Sequence, residues 1–316
     1  MGRNHVNSTD AANLAYRQVA PGDRRLALMR LGGAGAMAID DRGEAVALSD
    51  QARALGIGFE HLWGAYDAAD NLGPVALLVP RTGRTAMLFI STPGLRSEVV
   101  ITANLVRAVF DGCDGRRMRI IQALVSPVEP LEQQALAEAG MGELATLEYM
   151  QRSVPRSADP PDWPDDVQLL SYRDELRDQF IAALDASYEQ TLDCPGLRGL
   201  RPTAEVLAGH QATGTFDPAA WTLLRRDGEP VGVMLLNPVP EQQSLELVYL
   251  GLAPSARGRG LARRLMQRAL QLAAAARARR IALAVDHANT PATRLYRAAG
   301  FYRIARKLAM IKVLEA

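Results

Sequence analysis

The pattern of apolar and polar positions in the second half of the chain predicts alternating strands and helices. Residues 174–188 are typical of an amphipathic helix, because Leu176, Phe180 and Leu184 recur at helical spacing. An Asp-Gly pair at 227–228 separates two apolar runs and predicts a tight hairpin. The predicted elements are strand 167–172, helices 174–188 and 202–211, strands 219–225, 230–236 and 245–252, helix 258–277, strand 280–285, helix 291–299 and extended segment 301–313.

The first half of the chain repeats this order of elements. Its predicted elements are strand 16–19, helices 22–31 and 49–55, strands 62–66, 75–79 and 85–90, helix 98–110, strand 118–124, helix 130–139 and strand 144–150. The halves also share a local signature, since Glu-Ala-Gly at 138–140 corresponds to Ala-Ala-Gly at 298–300. A repeat of this length predicts a duplicated domain.

A polar, proline-rich segment lies between the two halves. Residues 153–166 read SVPRSADPPDWPDD, which is typical of a linker. We therefore expect one domain at 1–152 and another at 167–316. Hydrophobic residues make up 48% of the chain, as in ordinary globular proteins, and the formal net charge of +1 argues against a nucleic-acid footprint over the whole surface.

Cysteine usage and the apolar runs restrict the setting of the chain. Cys113 and Cys194 are its only cysteines, and their separation gives neither a disulfide framework nor a zinc spacing. No apolar run approaches the ~18 residues of a membrane span, and the N-terminal residues lack the apolar region of a signal peptide. We therefore expect a cytoplasmic protein that holds no metal and binds neither nucleic acid nor membrane.

One strand-to-helix turn has the composition of a phosphate-binding site. The turn and the start of its helix consist of Arg257, Gly258, Arg259, Gly260, Leu261 and Ala262. Glycines allow a tight turn and the close approach of a ligand. The free N–H groups of a first helical turn favour an anion, and the two arginines add positive charge. The sequence therefore predicts a pyrophosphate site here.

Two motifs together resemble those of the GNAT superfamily of N-acetyltransferases. Residues 257–262 match its Arg/Gln-x-x-Gly-x-Gly/Ala signature, which holds the pyrophosphate of coenzyme A. Residues 289–301 are similar to its Asn-x-x-Ala-x-x-x-Tyr-x-x-x-Gly-Phe signature, which lines the coenzyme arm. The resemblance covers about residues 165–316. It implies an α/β fold (α+β in some schemes) with two tandem domains, each a mixed, mostly antiparallel sheet flanked by helices.

The resemblance also implies acetyl-CoA as cosubstrate and a role for particular residues. Glu246 stands where the family often has a base that works through water, and Tyr296 where it has a proton donor to the sulfur. Leu250 and Leu252 are expected to offer backbone groups to the pantetheine, and Asn289 to bind the cofactor. The N–H of Leu252 is also expected to polarise the thioester carbonyl. A solvated, non-catalytic Glu246 is the alternative.

Two further residues are candidates for acceptor binding. Asp193 lies in the loop after the first helix, where the family builds its acceptor pocket, and its carboxylate suits a cationic amine. The alternative is an aspartate that only forms the turn before Cys-Pro-Gly. His287 follows a strand near the expected cleft, and the alternative is a structural histidine.

The first half departs from the family pattern. When the two halves are aligned, the first half has Ser97 at the position of Gly258, Glu98 at that of Arg259, Val99 at that of Gly260 and Leu136 at that of Tyr296. Glu98 places a negative charge where a phosphate would lie. We therefore expect residues 1–152 to form a degenerate domain that has lost cofactor binding and packs against the active half.

The predicted activity is an acetyl-CoA-dependent N-acetyltransferase that acts on the primary amine of a small molecule or peptide. One alternative is a non-catalytic acyl-CoA sensor that acts through partners, and another is transfer to a hydroxyl group. The acceptor and the acyl-chain length stay open, as does the oligomeric state, for which a homodimer is one option.

Overall fold

A computed structural model describes residues 14–32 and 60–315. They form two compact units: unit 1 runs up to Glu143 and includes the C-terminal segment from Leu308, and unit 2 is Leu144–Lys307. The predicted helix 49–55 lies outside the described residues. None of the described helices is long and apolar enough to cross a membrane.

Unit 1 is a mixed sheet covered by helices. Its elements are β1 (Ala15–Gln18), α1 (Arg24–Gly32), β2 (Leu62–Tyr66), β3 (Leu72–Arg81), β4 (Thr85–Ile90), α2 (Arg96–Asp111), β5 (Ile120–Val125) and α3 (Pro130–Glu138). The strands follow the order β1-β2-β3-β4-β5, in which β4 and β5 are parallel and the other pairs antiparallel. The segment Leu308–Val313 then pairs antiparallel with β5.

Unit 2 has the same arrangement. Its elements are β6 (Gly142–Ser153), β7 (Val167–Ser171), α4 (Arg177–Tyr188), α5 (Thr203–Gln211), β8 (Thr222–Arg226), β9 (Glu229–Val239), β10 (Ser244–Leu252), α6 (Leu261–Ala275), β11 (Arg280–Asp286), α7 (Thr290–Ala298) and β12 (Tyr302–Val313), whose last residues belong to unit 1. The strand order is β6-β11-β10-β9-β8-β7. Only β10 and β11 are parallel among these described pairs. The predicted fold class, a mostly antiparallel mixed sheet flanked by helices, is confirmed.

Apolar side chains on both faces of the unit 2 sheet hold the helices in place. On one face, Leu261, Leu265 and Met266 of α6 are buried in a core with strand residues. On the other, Phe180 of α4 packs with Trp221. Each buried side chain of this size contributes about 1.5–3 kcal/mol. This burial holds the N-terminus of α6 at the end of β10.

Two turns follow from backbone chemistry. The predicted hairpin between β8 and β9 is confirmed, with φ of 50° at Asp227 and 85° at Gly228, as a type I′ turn requires. The predicted helix 258–277 starts later, at Leu261. Its delayed start has a local reason, because Gly258 and Gly260 have φ of 74° and 75°, which no α-helix contains.

The compact units differ from the predicted domains in two segments. Residues 147–153 of β6 pair with β11 inside unit 2, although the prediction assigns them to the first domain and the start of the linker. Residues 308–313 pair with β5 inside unit 1. Each unit thus takes one strand from the other half of the sequence. A sequence repeat does not reveal such an exchange, because both copies of the strand have the same pattern. The degenerate character of the first domain stays a prediction.

Candidate active site

Strands β10 and β11 separate towards their C-terminal ends. Their pairing joins only Ser244–Glu246 to Arg280–Ala282. Beyond these residues β10 pairs with β9 as far as Leu252, and β11 pairs with β6 as far as Asp286. Among the described strands, none therefore covers the edge of β10 that faces β11. A cleft of about 200 Å³ opens between the two strands.

This cleft and an adjoining cavity bring most of the predicted cofactor residues together. Leu250, Leu252, Asn289 and Tyr296 line both of them. The adjoining cavity, of about 280 Å³, extends to Gly258, Gly260, Leu261 and Ala262. The two cavities therefore form a path from the open edge of β10 to the start of α6.

The turn before α6 presents unpaired backbone donors. The N–H of Arg264 bonds to the carbonyl of Gly260 at 3.2 Å, which closes the first helical turn. Within the described part of the chain, no group accepts a hydrogen bond from the N–H groups of residues 258–262. These donors lie at the positive end of the helix dipole. An anion at this position would satisfy them.

The Arg257 side chain is directed away from this turn, towards the C-terminus of α4. Its guanidinium donates to the carbonyl oxygens of Leu252 (3.0 Å), Ser187 (3.0 Å), Glu189 (2.7 Å) and Gln190 (3.4 Å). Arg259 is exposed, and its Nε donates to the Ser255 carbonyl at 3.2 Å. The two arginines of the motif therefore have different surroundings, which their spacing in the sequence did not indicate.

Tyr296 and Asn289 come from the segment around α7. Asn289 caps this helix, since its Oδ1 accepts from the N–H of Ala292 at 3.3 Å. Tyr296 is buried, with 7% of its surface exposed. Burial, with the nearby Asp193 and Tyr249, raises the pKa of Tyr296 well above its ordinary value of 10.0. Its phenol is therefore protonated at neutral pH.

Glu246 lies on the α4 face of the sheet. Its neighbours Leu245 and Leu247 belong to the core under α6, so the intervening side chain points to the opposite face. It is half-buried, and burial raises the pKa of its carboxyl above the ordinary value. Glu246 is not among the described residues that line the cleft or the adjoining cavity.

Tyr149 is a neighbour of Glu246 that sequence reasoning missed. Tyr149 pairs with Ala284, and Ala282 pairs with Glu246, so these four residues lie on one face of the sheet. Burial, followed by the Glu246 charge, raises the pKa of Tyr149. The tyrosine lies on β6, which the predicted boundaries place in the first domain. Only the strand exchange shows that it lies beside Glu246.

Asp193 lies in the loop after α4 (residues 189–194), which we call the acceptor loop because the sequence predicts acceptor binding there. Its Oδ1 accepts from the backbone N–H of Asp286 at 3.1 Å, and Asp286 Oδ2 accepts from the N–H of Cys194 at 3.2 Å. Burial chiefly, with the nearby Asp286 charge, raises the pKa of Asp193. Its carboxylate therefore attaches the loop to the end of β11, as well as lining the cleft.

A larger cavity of about 810 Å³ adjoins the cleft on the other side of this loop. Both are lined by Thr191, Asp193, Val248 and Tyr249. Tyr249 stacks on His210 with ring centroids 5.7 Å apart. Burial, with the charge of Arg201, lowers the pKa of His210 to about 4, so the imidazole is neutral at physiological pH.

The ring of Tyr249 is held at the junction of these two cavities. Ser187 Oγ donates to the Leu184 carbonyl at 2.7 Å and accepts from the Tyr249 hydroxyl at 2.8 Å. A side chain at position 251 would collide with this pair, because a Cβ on Gly251 would lie 2.6 Å from the Tyr249 hydroxyl. The glycine after Leu250 is therefore required by packing.

His287 is engaged elsewhere. Its Nδ1 lies 2.9 Å from Oε1 of the fully buried Glu148, which Arg297, Arg303 and Arg306 also contact. Burial alone would raise the pKa of Glu148, but hydrogen bonds from Arg306, Arg303 and His287 together lower it to about 2. His287 is not among the described residues that line the three cavities. The described residues contain no group of three potential metal ligands.

Sequence comparisons match this chain to acetyltransferases. The Acetyltransferase (GNAT) family profile matches residues 172–301. A mycothiol acetyltransferase of Thermobispora bispora is 30% identical over 249 residues, which cover 75% of this chain and 79% of that protein. A mycothiol acetyltransferase of Acidothermus cellulolyticus is 31% identical over 186 residues, so that the match spans only 56% of that relative's length and 54% of this chain.

Solved structures share the fold. A GCN5-related N-acetyltransferase from Sphaerobacter thermophilus superposes with a TM-score of 0.65 at 18% identity, over 96% of each chain. A tandem GNAT protein from the clavulanic acid biosynthesis pathway superposes with a TM-score of 0.53 at 16% identity, over 96% of this chain and 99% of that one. At these identities the likeness concerns the fold alone.

Proposed function

Because this chain belongs to the GNAT family of acetyltransferases, we propose that it transfers the acetyl group of acetyl-CoA to a primary amine of a small molecule or peptide. Membership of the family supports acetyl-CoA-dependent acetylation in general, and the proposal adds the acceptor and the residues. The observation that carries it is the path of two cavities that joins the unpaired N–H groups of residues 258–262 to the buried phenol of Tyr296.

In this proposal the start of α6 holds the pyrophosphate of acetyl-CoA. The unpaired N–H groups of residues 258–262 and the helix dipole stabilise the phosphate charges. Leu250 and Leu252 bind the pantetheine through their backbone, as though it were an added strand on the open edge of β10. Asn289 lines the same path and contacts the pantetheine arm.

The proposed reaction needs a neutral amine, a polarised carbonyl and a protonated leaving group. A lysine-like amine has a pKa of about 10.4 and is mostly protonated at neutral pH, so Glu246 removes a proton from it through water. The N–H of Leu252 polarises the thioester carbonyl. As the amine nitrogen bonds to the carbonyl carbon and the carbon–sulfur bond breaks, Tyr296 donates its proton to the sulfur. The nitrogen then releases its extra proton to water, and the tyrosinate takes a proton back from water. The raised pKa of Glu246 makes its carboxylate a stronger base, and the raised pKa of Tyr296 keeps its phenol protonated until the sulfur leaves.

The acceptor enters from the 810 Å³ cavity in this proposal. That cavity meets the cleft at Asp193 and Tyr249, so an amine near Asp193 is close to the thioester position. The Asp193 carboxylate attracts a cationic amine before it loses its proton. His287 is left out of the acceptor site, because its Nδ1 contacts the buried Glu148 and it is not among the described residues that line the 810 Å³ cavity.

The test is calorimetric titration with acetyl-CoA, followed by a thiol-release screen of primary amines and matching alcohols. The names of the two relatives make the unacetylated form of mycothiol the first amine to test. Binding near one per chain, with thiol release by an amine, supports the proposal. Tight binding without release by any amine favours the non-catalytic sensor, and release by alcohols alone overturns the amine acceptor.

A further inference from the structure

The Arg257 guanidinium connects the phosphate turn to the end of α4. Three of its four acceptors are the carbonyls of Ser187, Glu189 and Gln190, at 3.0, 2.7 and 3.4 Å. The last carbonyls of a helix lack partners within the helix, and a cation is favourable beside them. The planar guanidinium fork suits several acceptors at once. A guanidinium has about five N–H donors, and the contacts of Arg257 use all but one of them.

Two of the carbonyls that Arg257 binds, those of Glu189 and Gln190, belong to the start of the acceptor loop. Gln190 and Cys194 of this loop have φ of 52° and 45°, a left-handed conformation that non-glycine residues rarely adopt. Such backbone persists only where the surrounding contacts impose it. Here the contacts are Arg257 at the start of the loop and Asp286 at its end. The loop residues Thr191 and Asp193 line both the cleft and the larger cavity.

We propose that Arg257 is a positioning residue, which couples occupancy of the phosphate turn to the shape of the acceptor loop. The inference rests on the proposed function, in which the turn binds acetyl-CoA and the loop binds the acceptor. The backbone of residues 258–262 carries the phosphate contacts, and the Arg257 side chain transmits their ordering to α4 and the loop. The first residue of the motif therefore affects the acceptor more than the cofactor.

The first test needs no acceptor. Amide hydrogen exchange is measured for a peptide that covers residues 186–195, with and without saturating acetyl-CoA, in the wild type and in Arg257→Ala. We expect acetyl-CoA to slow this exchange in the wild type and to have no effect on it in Arg257→Ala. Calorimetry is used to check that Arg257→Ala still binds acetyl-CoA. Equal slowing in both proteins overturns the inference. Absence of acetyl-CoA binding to the wild type would instead refute the proposed function.

The second test separates the acceptor from the cofactor, with the most active amine of the thiol-release screen as probe. In Arg257→Ala we expect the acceptor KM to rise about tenfold or more, since a displaced loop misplaces the amine. The acetyl-CoA Kd should change by less than about threefold. Arg257→Lys should recover part of the acceptor KM, because an ammonium replaces only some of the fork's bonds.

Arg259→Ala is the matched control, because Arg259 is exposed and bonds only to the Ser255 carbonyl among the described contacts. It should raise the acetyl-CoA Kd and leave the exchange response of the loop intact. If Arg257→Ala instead raised the acetyl-CoA Kd tenfold or more at an unchanged acceptor KM, Arg257 would be a phosphate ligand and the inference would be wrong. Thermal unfolding shows whether each variant is folded. If Arg257→Ala does not fold, the same measurements are made on Arg257→Lys and decide the outcome.

Discussion

The two halves of the chain contain the same strand-to-helix turn with opposite chemistry at its centre. Before α6, Gly258 and Gly260 have positive φ, and the N–H groups of residues 258–262 have no partner in the described part of the chain. Before α2, the Glu98 carboxylate accepts from the N–H of Gly94 at 2.6 Å and of Leu95 at 3.3 Å. The N-terminus of α2 therefore has an anion from its own chain, whereas the N-terminus of α6 leaves the equivalent position open to a ligand.

The difference extends to the end of the cleft. Leu136, which is fully buried, stands in α3 where Tyr296 stands in α7. In both units the parallel strand pair is short, since Thr85–Met87 is the only segment of β4 that pairs with β5. The same backbone can thus keep or lose a phosphate site through a few side chains, because the anion position at a helix N-terminus can be filled internally. A shared fold therefore does not imply that both halves bind the same ligand.

The largest effect is expected from Gly260→Glu. Its φ of 75° disfavours any side chain, a Cβ would lie 3.0 Å from Arg264 Nη1, and the carboxylate would occupy the phosphate position. We expect acetyl-CoA binding to fall by ~100-fold or more, as measured by calorimetry. Gly142→Ala is the control, since a Cβ there meets nothing within 4 Å. Wild-type affinity in the glutamate variant would show that the turn is not the phosphate site.

Tyr296→Phe removes the proposed proton donor, for which Leu136 in the first half is no equivalent. We expect kcat to fall by about 100-fold, with the acetyl-CoA Kd almost unchanged, because a positioned acid contributes roughly that much. Steady-state thiol release and calorimetry measure the two quantities. Tyr302→Phe is a control on a tyrosine with 54% of its surface exposed. An unchanged kcat in Tyr296→Phe would exclude the phenol as the acid.

The pH dependence tests whether Glu246 is the base. Burial raises the pKa of Glu246 above 4.5, and only the ionised form accepts a proton. Activity should therefore be full at neutral pH and should be lost as the pH falls through an apparent pKa above 4.5. Glu246→Gln should lower kcat by about 100-fold and abolish this acidic limb. If kcat/KM of Glu246→Gln still fell at low pH as in the wild type, the titrating group would be a residue other than Glu246.

Glu98→Gln gives the smallest effect and tests the internal anion of the first half. Loss of the charge at the start of α2 should lower the free energy of unfolding by about 1 kcal/mol, as for the loss of a helix cap. Denaturant titration measures this change. Calorimetry should still give one acetyl-CoA per chain, because Val99 and Leu136 stay in place. A second binding event would show that the charge of Glu98 was what excluded the cofactor.

Local chemistry explains which features could be predicted. The hairpin at 227–228 and the glycine turn at 257–260 depend on neighbouring residues, so their sequence patterns were sufficient. The exchanged strand, β6, could not be predicted, since its partner is more than 100 residues away and an equivalent copy exists. Tyr149 was missed for that reason. His287 was selected for its position near a strand end, but the buried Glu148 determines its contacts.

The sequence by itself determined the order of elements, the two motifs and the replacement of Arg259 by Glu98 in the first copy. Periodicity, glycine and short-range capping act within a few residues, so they are readable along the chain. Only the tertiary structure decided that Arg257 binds the end of α4, that Asp193 attaches its loop to β11, and that Tyr149 lies beside Glu246. These contacts join residues that lie from 67 to 97 positions apart in the sequence, and packing of the strands and helices brings them together.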